Sequence, residues 1–228
     1  MANVAITGAG RGIGLELTRQ HVAAGDRVFA LVRNPAGAEA LAALAAGSGG
    51  KLTVHTMDVG DDASVKTCAA ATGDATIDLL YNVAGVTGST ANEVESIDWA
   101  PFDDAINVMV KGPLRVLHAF LPRMGKGAKV ISITSQLAAS TWPYGGYYGY
   151  VAAKAALNRL MRSVATDLKD RGVIVGLVHP GWVQTDMGGA DAEITPHDSA
   201  AGIRQVAADW TLETSGDFLK WNGEAHAW

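Results

Sequence analysis

Short, nearly continuous apolar runs alternate with longer helix-patterned segments from the start of the chain to about residue 180, and this alternation restricts the fold more than any other feature. The runs at 4–7, 27–32, 52–57, 77–81, 129–133 and 173–178 are apolar at almost every position, as in strands covered on both faces. Between them, 12–24, 36–46, 63–71, 102–121 and 150–170 read as helices. Repeated strand–helix–strand units build a parallel sheet with helices on both faces. No Pro/Ser-rich linker, charge block or internal repeat divides the chain, and the Gly-Ser-Gly-Gly stretch at 47–50 reads as a turn. The expected architecture is α/β, a doubly wound parallel sheet in a single domain over 1–228.

Composition narrows the function. With 48% hydrophobic and 18% charged residues, the chain can bury a substantial core and is not disordered. A net charge of -5 argues against a dedicated nucleic-acid binder. No apolar stretch is long enough to span a bilayer, and Met1-Ala2-Asn3-Val4 lacks the charged start of a signal peptide. A cytoplasmic protein without a membrane partner is expected. Cys68 is the only cysteine, so no intrachain disulfide forms; it reads as a small buried residue. His179 reads as a packing residue at a strand end, and neither a His-based triad nor a metal site is expected.

The first strand runs into Thr7-Gly8-Ala9-Gly10-Arg11-Gly12-Ile13-Gly14, and a helix pattern follows at once. Glycines here let the backbone turn sharply and let a pyrophosphate approach the amides at a helix N-terminus. The spacing Gly-x-Gly-x-x-Gly is not met from Gly8 or Gly10; the segment fits Thr-Gly-x-x-x-Gly-x-Gly through Gly8, Gly12 and Gly14. In this it resembles the short-chain dehydrogenase/reductase family, which implies a Rossmann-type fold and a nicotinamide cofactor held by Gly8, Arg11, Gly12, Ile13 and Gly14. The second strand ends Leu31-Val32-Arg33-Asn34 with no acid at its tip. An acid there would bind a ribose 2′-hydroxyl, whereas an arginine pairs with a 2′-phosphate. Arg33, with Arg11 as a second cation, therefore points to NADP(H) ahead of NAD(H).

The reacting centre is read from Tyr150-Val-Ala-Ala-Lys154, which opens the helix after the fifth strand. Residues four apart share a helical face, so phenol and ammonium can enter one cleft. A phenol with a pKa of about 10 is a poor base at neutral pH. A nearby ammonium would bring it closer to the working range.

The resemblance extends along the chain. It implies an adenine contact at Asp58 and Val59, and further cofactor contacts at Asn82, Ala84 and Gly85, where Asn82-Val83-Ala84-Gly85 replaces the more usual Asn-Asn-Ala-Gly. It implies a serine holding the substrate oxygen at Ser135 and an asparagine organising a water chain to the lysine at Asn107; strand alternation puts Ser132 and Thr134 on one face and Ser135 at the strand's mouth. Catalysis is thus expected from Asn107, Ser135, Tyr150 and Lys154, the last two also touching cofactor. Pro180, Gly181, Val183 and Thr185 match a segment that walls the nicotinamide, Thr185 binding its carboxamide. The string Thr185-Asp186-Met187-Gly188-Gly189 is similar to the carbonyl-reductase-like branch that includes C-factor and sniffer proteins. The implied activity is reduction of a ketone or aldehyde to an alcohol, or its reverse, by an acid/base Tyr150. The alternative is an NADP-sensing regulator on the same fold without turnover. The aromatics within 136–148 and Met187 in 182–195 suit an apolar or aryl substrate. Helices 102–121 and 150–170 form subunit contacts in that family, implying a homodimer or homotetramer.

Overall fold

The strands Asn3–Thr7 (β1), Arg27–Val32 (β2), Leu52–Thr56 (β3), Leu79–Asn82 (β4), Lys129–Ile133 (β5), Ile174–His179 (β6) and Phe218–Lys220 (β7) join in one parallel sheet in the order β3-β2-β1-β4-β5-β6-β7. This is a computed structural model, and it describes residues 1–88 and 93–228. The helices are Gly12–Ala23 (α1), Glu39–Gly47 (α2), Asp62–Ala71 (α3), Trp99–Ile106 (α4), Gly112–Phe120 (α5), Tyr148–Leu168 (α6) and Pro196–Asp209 (α7).

The near-continuous apolar strands divide by period two between two cores. Ala5, Phe29, Leu80 and Val130 face α3, α4, α5 and α6, where they meet Val65, Ala105, Phe120 and Leu157. Their neighbours Ile6, Val28, Tyr81 and Ile131 face α1, α2 and α7, where they meet Leu17, Leu41 and Ile203. Strand order runs outward in opposite directions from β1 and β4, so the crevice for a ligand opens at the carboxyl ends of those two strands.

Two departures from the sequence pattern bear on the site. The helix expected over 102–121 is broken: α4 passes through a π-helical turn at Asn107–Lys111 before α5 begins. Pro113 cannot donate to the carbonyl one turn back. A Cβ on Gly112 would stand 3.0 Å from a Val59 methyl, so the widened turn sits hard against the segment after β3. Beyond residue 180, α7 is capped by Thr195, whose hydroxyl accepts from the Asp198 amide, and β7 adds a seventh strand beside β6.

Candidate active site

The glycine loop forms because two positions tolerate no side chain. Gly8 holds φ +67°, and a Cβ there would lie 2.9 Å from the Ala84 backbone; on Gly14 it would overlap the Gly8 carbonyl oxygen. Thr7 completes the fit: its hydroxyl accepts from the Val83 and Ala84 amides at 3.0 and 3.2 Å, tying the 82–85 turn to the loop. Its role is absent from the sequence reading, although it stands in the motif itself. The first amides of α1 have no side-chain cap, since Arg11 occupies the cap position without a capping hydrogen bond. They offer unpaired donors to an anion. Asn82 donates to Ser132 at 3.3 Å, while its side-chain oxygen is buried without a partner. Cradle, uncapped helix and orphaned acceptor together fit a dinucleotide.

Arg33 is exposed at the tip of β2. Arg11 points elsewhere, its guanidinium meeting the Asp186 carboxylate at 2.8 Å. At the end of β3, the Asp58 carboxylate accepts from the Gly60 amide at 2.8 Å, and Val59 is buried.

The reacting centre gathers at the mouths of β5 and α6. Ser132 and Thr134 are buried within the sheet, whereas Ser135 begins the loop and its hydroxyl accepts from the Leu137 amide at 3.2 Å. Gln136 donates its amide to Nδ1 of His179, so the end of β6 fixes the backbone beside Ser135. Helix α6 starts from Tyr147, the only non-glycine residue with positive φ among the described residues, at 51°. Such backbone strain is commonly held at functional sites. Three residues on, Tyr150 enters the core.

Burial pushes the Tyr150 phenol pKa up, and the Ser135 hydroxyl in hydrogen-bonding reach pulls it back down. Lys154 is buried beneath it, 5.7 Å from the ring centre, and donates to the Ile133 carbonyl at 2.8 Å. Desolvation lowers its pKa to about 8. Burial is the first influence on both groups, and it favours their neutral forms.

Asn107 opens the π-helical turn. Its side-chain nitrogen donates to the Gly60 carbonyl at 3.0 Å, and its side-chain oxygen accepts from Arg115 at 2.9 Å. No hydrogen bond connects it to Lys154 among the described residues. The π-helical turn instead aims Met109 at the 82–85 segment, its sulfur 3.4 Å from where a Gly85 Cβ would stand. No pattern in the sequence distinguishes a kinked helix here from a straight one.

After β6, Pro180 and Gly181 lead into a tight turn. The Thr185 hydroxyl donates to the Val183 carbonyl and accepts from the Gly188 amide, and Trp182 donates to the Gly188 carbonyl at 2.8 Å. The Thr185 methyl would meet a Gly12 Cβ at 3.1 Å, so this turn reaches back to the glycine loop. Around the opening, Tyr144, Tyr147, Trp182 and Met187 are exposed, and Trp142 packs edge-on to Tyr144.

A family model described as short chain dehydrogenase matches residues 2–194. C-signal of Myxococcus xanthus is 41% identical over 157 residues, which span 67% of this chain and 93% of that protein. The NADPH-bound carbonyl reductase from chicken fatty liver is similar in structure with a TM-score of 0.92 at 31% identity, covering 100% of this chain and 99% of its own. Carbonyl reductase Sniffer of D. melanogaster has a TM-score of 0.92 at 26% identity, with 100% of both chains covered.

Proposed function

This chain belongs to the short-chain dehydrogenase family, in its carbonyl-reductase-like branch, and we propose that it is an NADP(H)-dependent reductase of ketones or aldehydes in which Tyr150 delivers the proton. The observation carrying this reading is the half-buried Tyr150, its phenol with Ser135 in hydrogen-bonding reach and Lys154 packed beneath, at the strand ends beside the glycine loop.

In this reading Gly8, Gly12, Ile13 and Gly14 hold the diphosphate against the uncapped end of α1. Arg33 and Arg11 take the 2′-phosphate, Asp58 and Val59 the adenine. Asn82, Ala84 and Gly85, with Pro180, Gly181, Val183 and Thr185, line the remainder. The 2′-phosphate preference is supported by the two arginines and by the NADPH bound to the chicken carbonyl reductase.

When bound, the reduced nicotinamide supplies a hydride to the carbonyl carbon. Tyr150 serves the oxygen. Its raised pKa keeps the phenol protonated at neutral pH, the form needed to donate as the oxygen gains charge. Ser135 donates a hydrogen bond to the same oxygen, steadying the developing charge. Lys154, protonated below about pH 8, stabilises the phenolate left behind and can return a proton to it.

The exposed aromatic rim favours a bulky apolar or aryl carbonyl compound. Association into a dimer or tetramer is supported by Trp99, exposed on α4 beside a groove of about 540 Å³ lined by Phe102, Leu137 and Val151.

The test follows consumption of NADPH and NADH against a panel of ketones, aldehydes and quinones, with Tyr150→Phe in parallel. NADPH consumption that collapses in Tyr150→Phe is expected. A folded wild-type protein that binds NADPH yet turns over nothing in the panel would overturn catalysis and leave the sensing regulator.

A further inference from the structure

We propose that His179, held by the hairpin over 218–228, is a positioning residue for Ser135: it fixes the turn whose next amide aims the Ser135 hydroxyl. This rests on the reading above, in which that hydroxyl donates to the substrate oxygen.

Two consecutive amides carry the connection. Ser135 leads into a short helical turn at Gln136–Ala138. The Gln136 amide donates to Nδ1 of His179 at 3.2 Å, and the Leu137 amide donates to the Ser135 hydroxyl at 3.2 Å. The Ser135 carbonyl closes the turn by accepting from the Ala138 amide at 3.0 Å. With Gln136 fixed, the Leu137 amide keeps one direction. The hydroxyl that accepts from it retains its own proton, in reach of Tyr150, to donate.

The same C-terminal hairpin holds both the backbone and the ring of His179. Its carbonyl accepts from the Trp221 amide at 2.8 Å, where β7 runs beside β6. The chain then reverses, the Lys220 amide donating to the Glu224 carbonyl at 2.7 Å and the His226 amide to the Phe218 carbonyl at 2.9 Å. This return stacks the His226 ring on Phe218, centres 4.6 Å apart, and sets it edge-on to His179 at 5.5 Å. The buried His179 ring rests against His226, which opposes its rotation away from Gln136. At the far end of the loop the Ser140 hydroxyl donates to the main-chain oxygen of Trp228 at 2.9 Å, and Arg162 covers the Trp228 ring. One hairpin thus ties the segment 136–140 at both ends. In sequence His179 reads as packing alone, because Gln136 stands 43 residues before it and His226 returns only through the hairpin.

The test measures turnover and hydrogen exchange in two variants, each made in the wild type and in Ser135→Ala. His179→Phe keeps a ring against His226 and removes the acceptor, whereas His179→Asn keeps an acceptor. Misplacement at a reacting centre is costly, so His179→Phe should lower kcat about tenfold and leave KM for NADPH unchanged. It should also speed deuterium uptake across 136–140. His179→Asn should restore most of both. In the Ser135→Ala background His179→Phe should cost no further kcat, since a group acting through the serine has nothing left to act on. A change that merely loosens the fold costs the same in both backgrounds. His226→Ala leaves His179 in place and serves if the phenylalanine variant does not fold. It should lower kcat about threefold, again only where Ser135 is present.

Equal loss of kcat in the two backgrounds overturns the proposal, as does unchanged exchange across 136–140. A raised KM for NADPH at unchanged kcat also overturns it, placing His179 with the cofactor. Wild-type protein that turns over no carbonyl compound overturns the reading of Ser135 instead. Exchange needs no substrate, so it decides separately whether His179 holds the turn.

Discussion

Arg11 and Asp186, 175 residues apart in the chain, meet in an ion pair of 2.8 Å that joins the glycine loop to the turn after β6. Both side chains are 76% exposed, so the pair is weak and easily exchanged for another anion. If Arg11 also serves the 2′-phosphate, Asp186 competes for it. Asp186→Asn should tighten 2′,5′-ADP relative to 5′-ADP by up to about fivefold, an exposed pair being worth no more than that. Titration calorimetry of both ligands checks it, and an unchanged ratio would mean that Arg11 does not reach the 2′-phosphate.

Arg33 has no such competitor among the described residues. A charge-assisted contact to phosphate is worth about 1.5–3 kcal/mol, or roughly ten- to a hundredfold in preference. Arg33→Asp replaces it with an acid suited to a ribose hydroxyl. The ratio of kcat/KM for NADPH over NADH is expected to fall by that factor. A ratio that barely moves would transfer the discrimination to Arg11.

Tyr150→Phe retains the ring and its packing and removes the phenol proton proposed to reach the carbonyl oxygen. Positioned general acids contribute about a hundred- to ten-thousandfold. The expected loss in kcat is of that size, with NADPH binding retained by fluorescence titration. Ser135→Ala should lose less, since it removes one hydrogen-bond donor. A larger loss there than in Tyr150→Phe would reverse the two roles.

Much of this site was legible because its parts are local. Gly8, Gly12 and Gly14 are close in sequence, and Tyr150 and Lys154 share one helical face, so spacing alone relates them. The sheet was legible for the same kind of reason: a strand covered on both faces must be apolar through its middle, and β1 from Val4 to Ile6, β2 from Val28 to Val32 and β6 from Ile174 to Val178 are. What spacing does not carry is a change of helical register. The π-helical turn at Asn107–Lys111 turns Asn107 toward Gly60 and puts Met109 under Gly85, although a regular helix drawn over 102–121 has the same sequence. Nor does spacing show competition: Arg11 was legible as a cation beside phosphate, but its pairing with Asp186 depends on how the last third of the chain returns over the sheet. Burial was hidden as well. Spacing puts Tyr150 and Lys154 on one helical face but does not show that burial acts on both groups.

Acid should destabilise the protein through His179. Burial first, then the charges of His226 and Lys220, lower its pKa from 6.5 to about 4. Its Nδ1 accepts the Gln136 amide, a bond available to the neutral ring. As pH falls below 6.5, the unfolded chain takes up a proton that the folded one refuses until about 4, so stability drops across that window. The full effect is on the order of 3 kcal/mol. Urea melts at several pH values should show this slope in the wild type and a shallower one in His179→Asn, which keeps an acceptor without titrating. Parallel slopes would assign the acid sensitivity to other groups.

Lys154 has the same sign at the opposite end of the pH scale. Its pKa falls from 10.5 to about 8 on burial, so below about 8 both folded and unfolded chains are protonated and the folded state bears the full cost of a buried ammonium. Between about 8 and 10.5 the unfolded chain holds the extra proton, and stability rises with pH. Lys154→Met removes that cost and leaves the Ile133 carbonyl without its donor, two effects that oppose each other at neutral pH. The pH dependence separates them, because only the charge titrates. Relative to Lys154→Met, the wild type should gain about 2–3 kcal/mol on going from pH 8 to 10.5. Cys68, with a pKa pushed up to about 11 by burial, titrates in both proteins and drops out of the difference. Lys154→Met should also lose most of its turnover, since the phenolate left by Tyr150 no longer has a cation beneath it. A stability difference independent of pH would mean that the ammonium is solvated in the folded protein and cannot be the group that returns the proton.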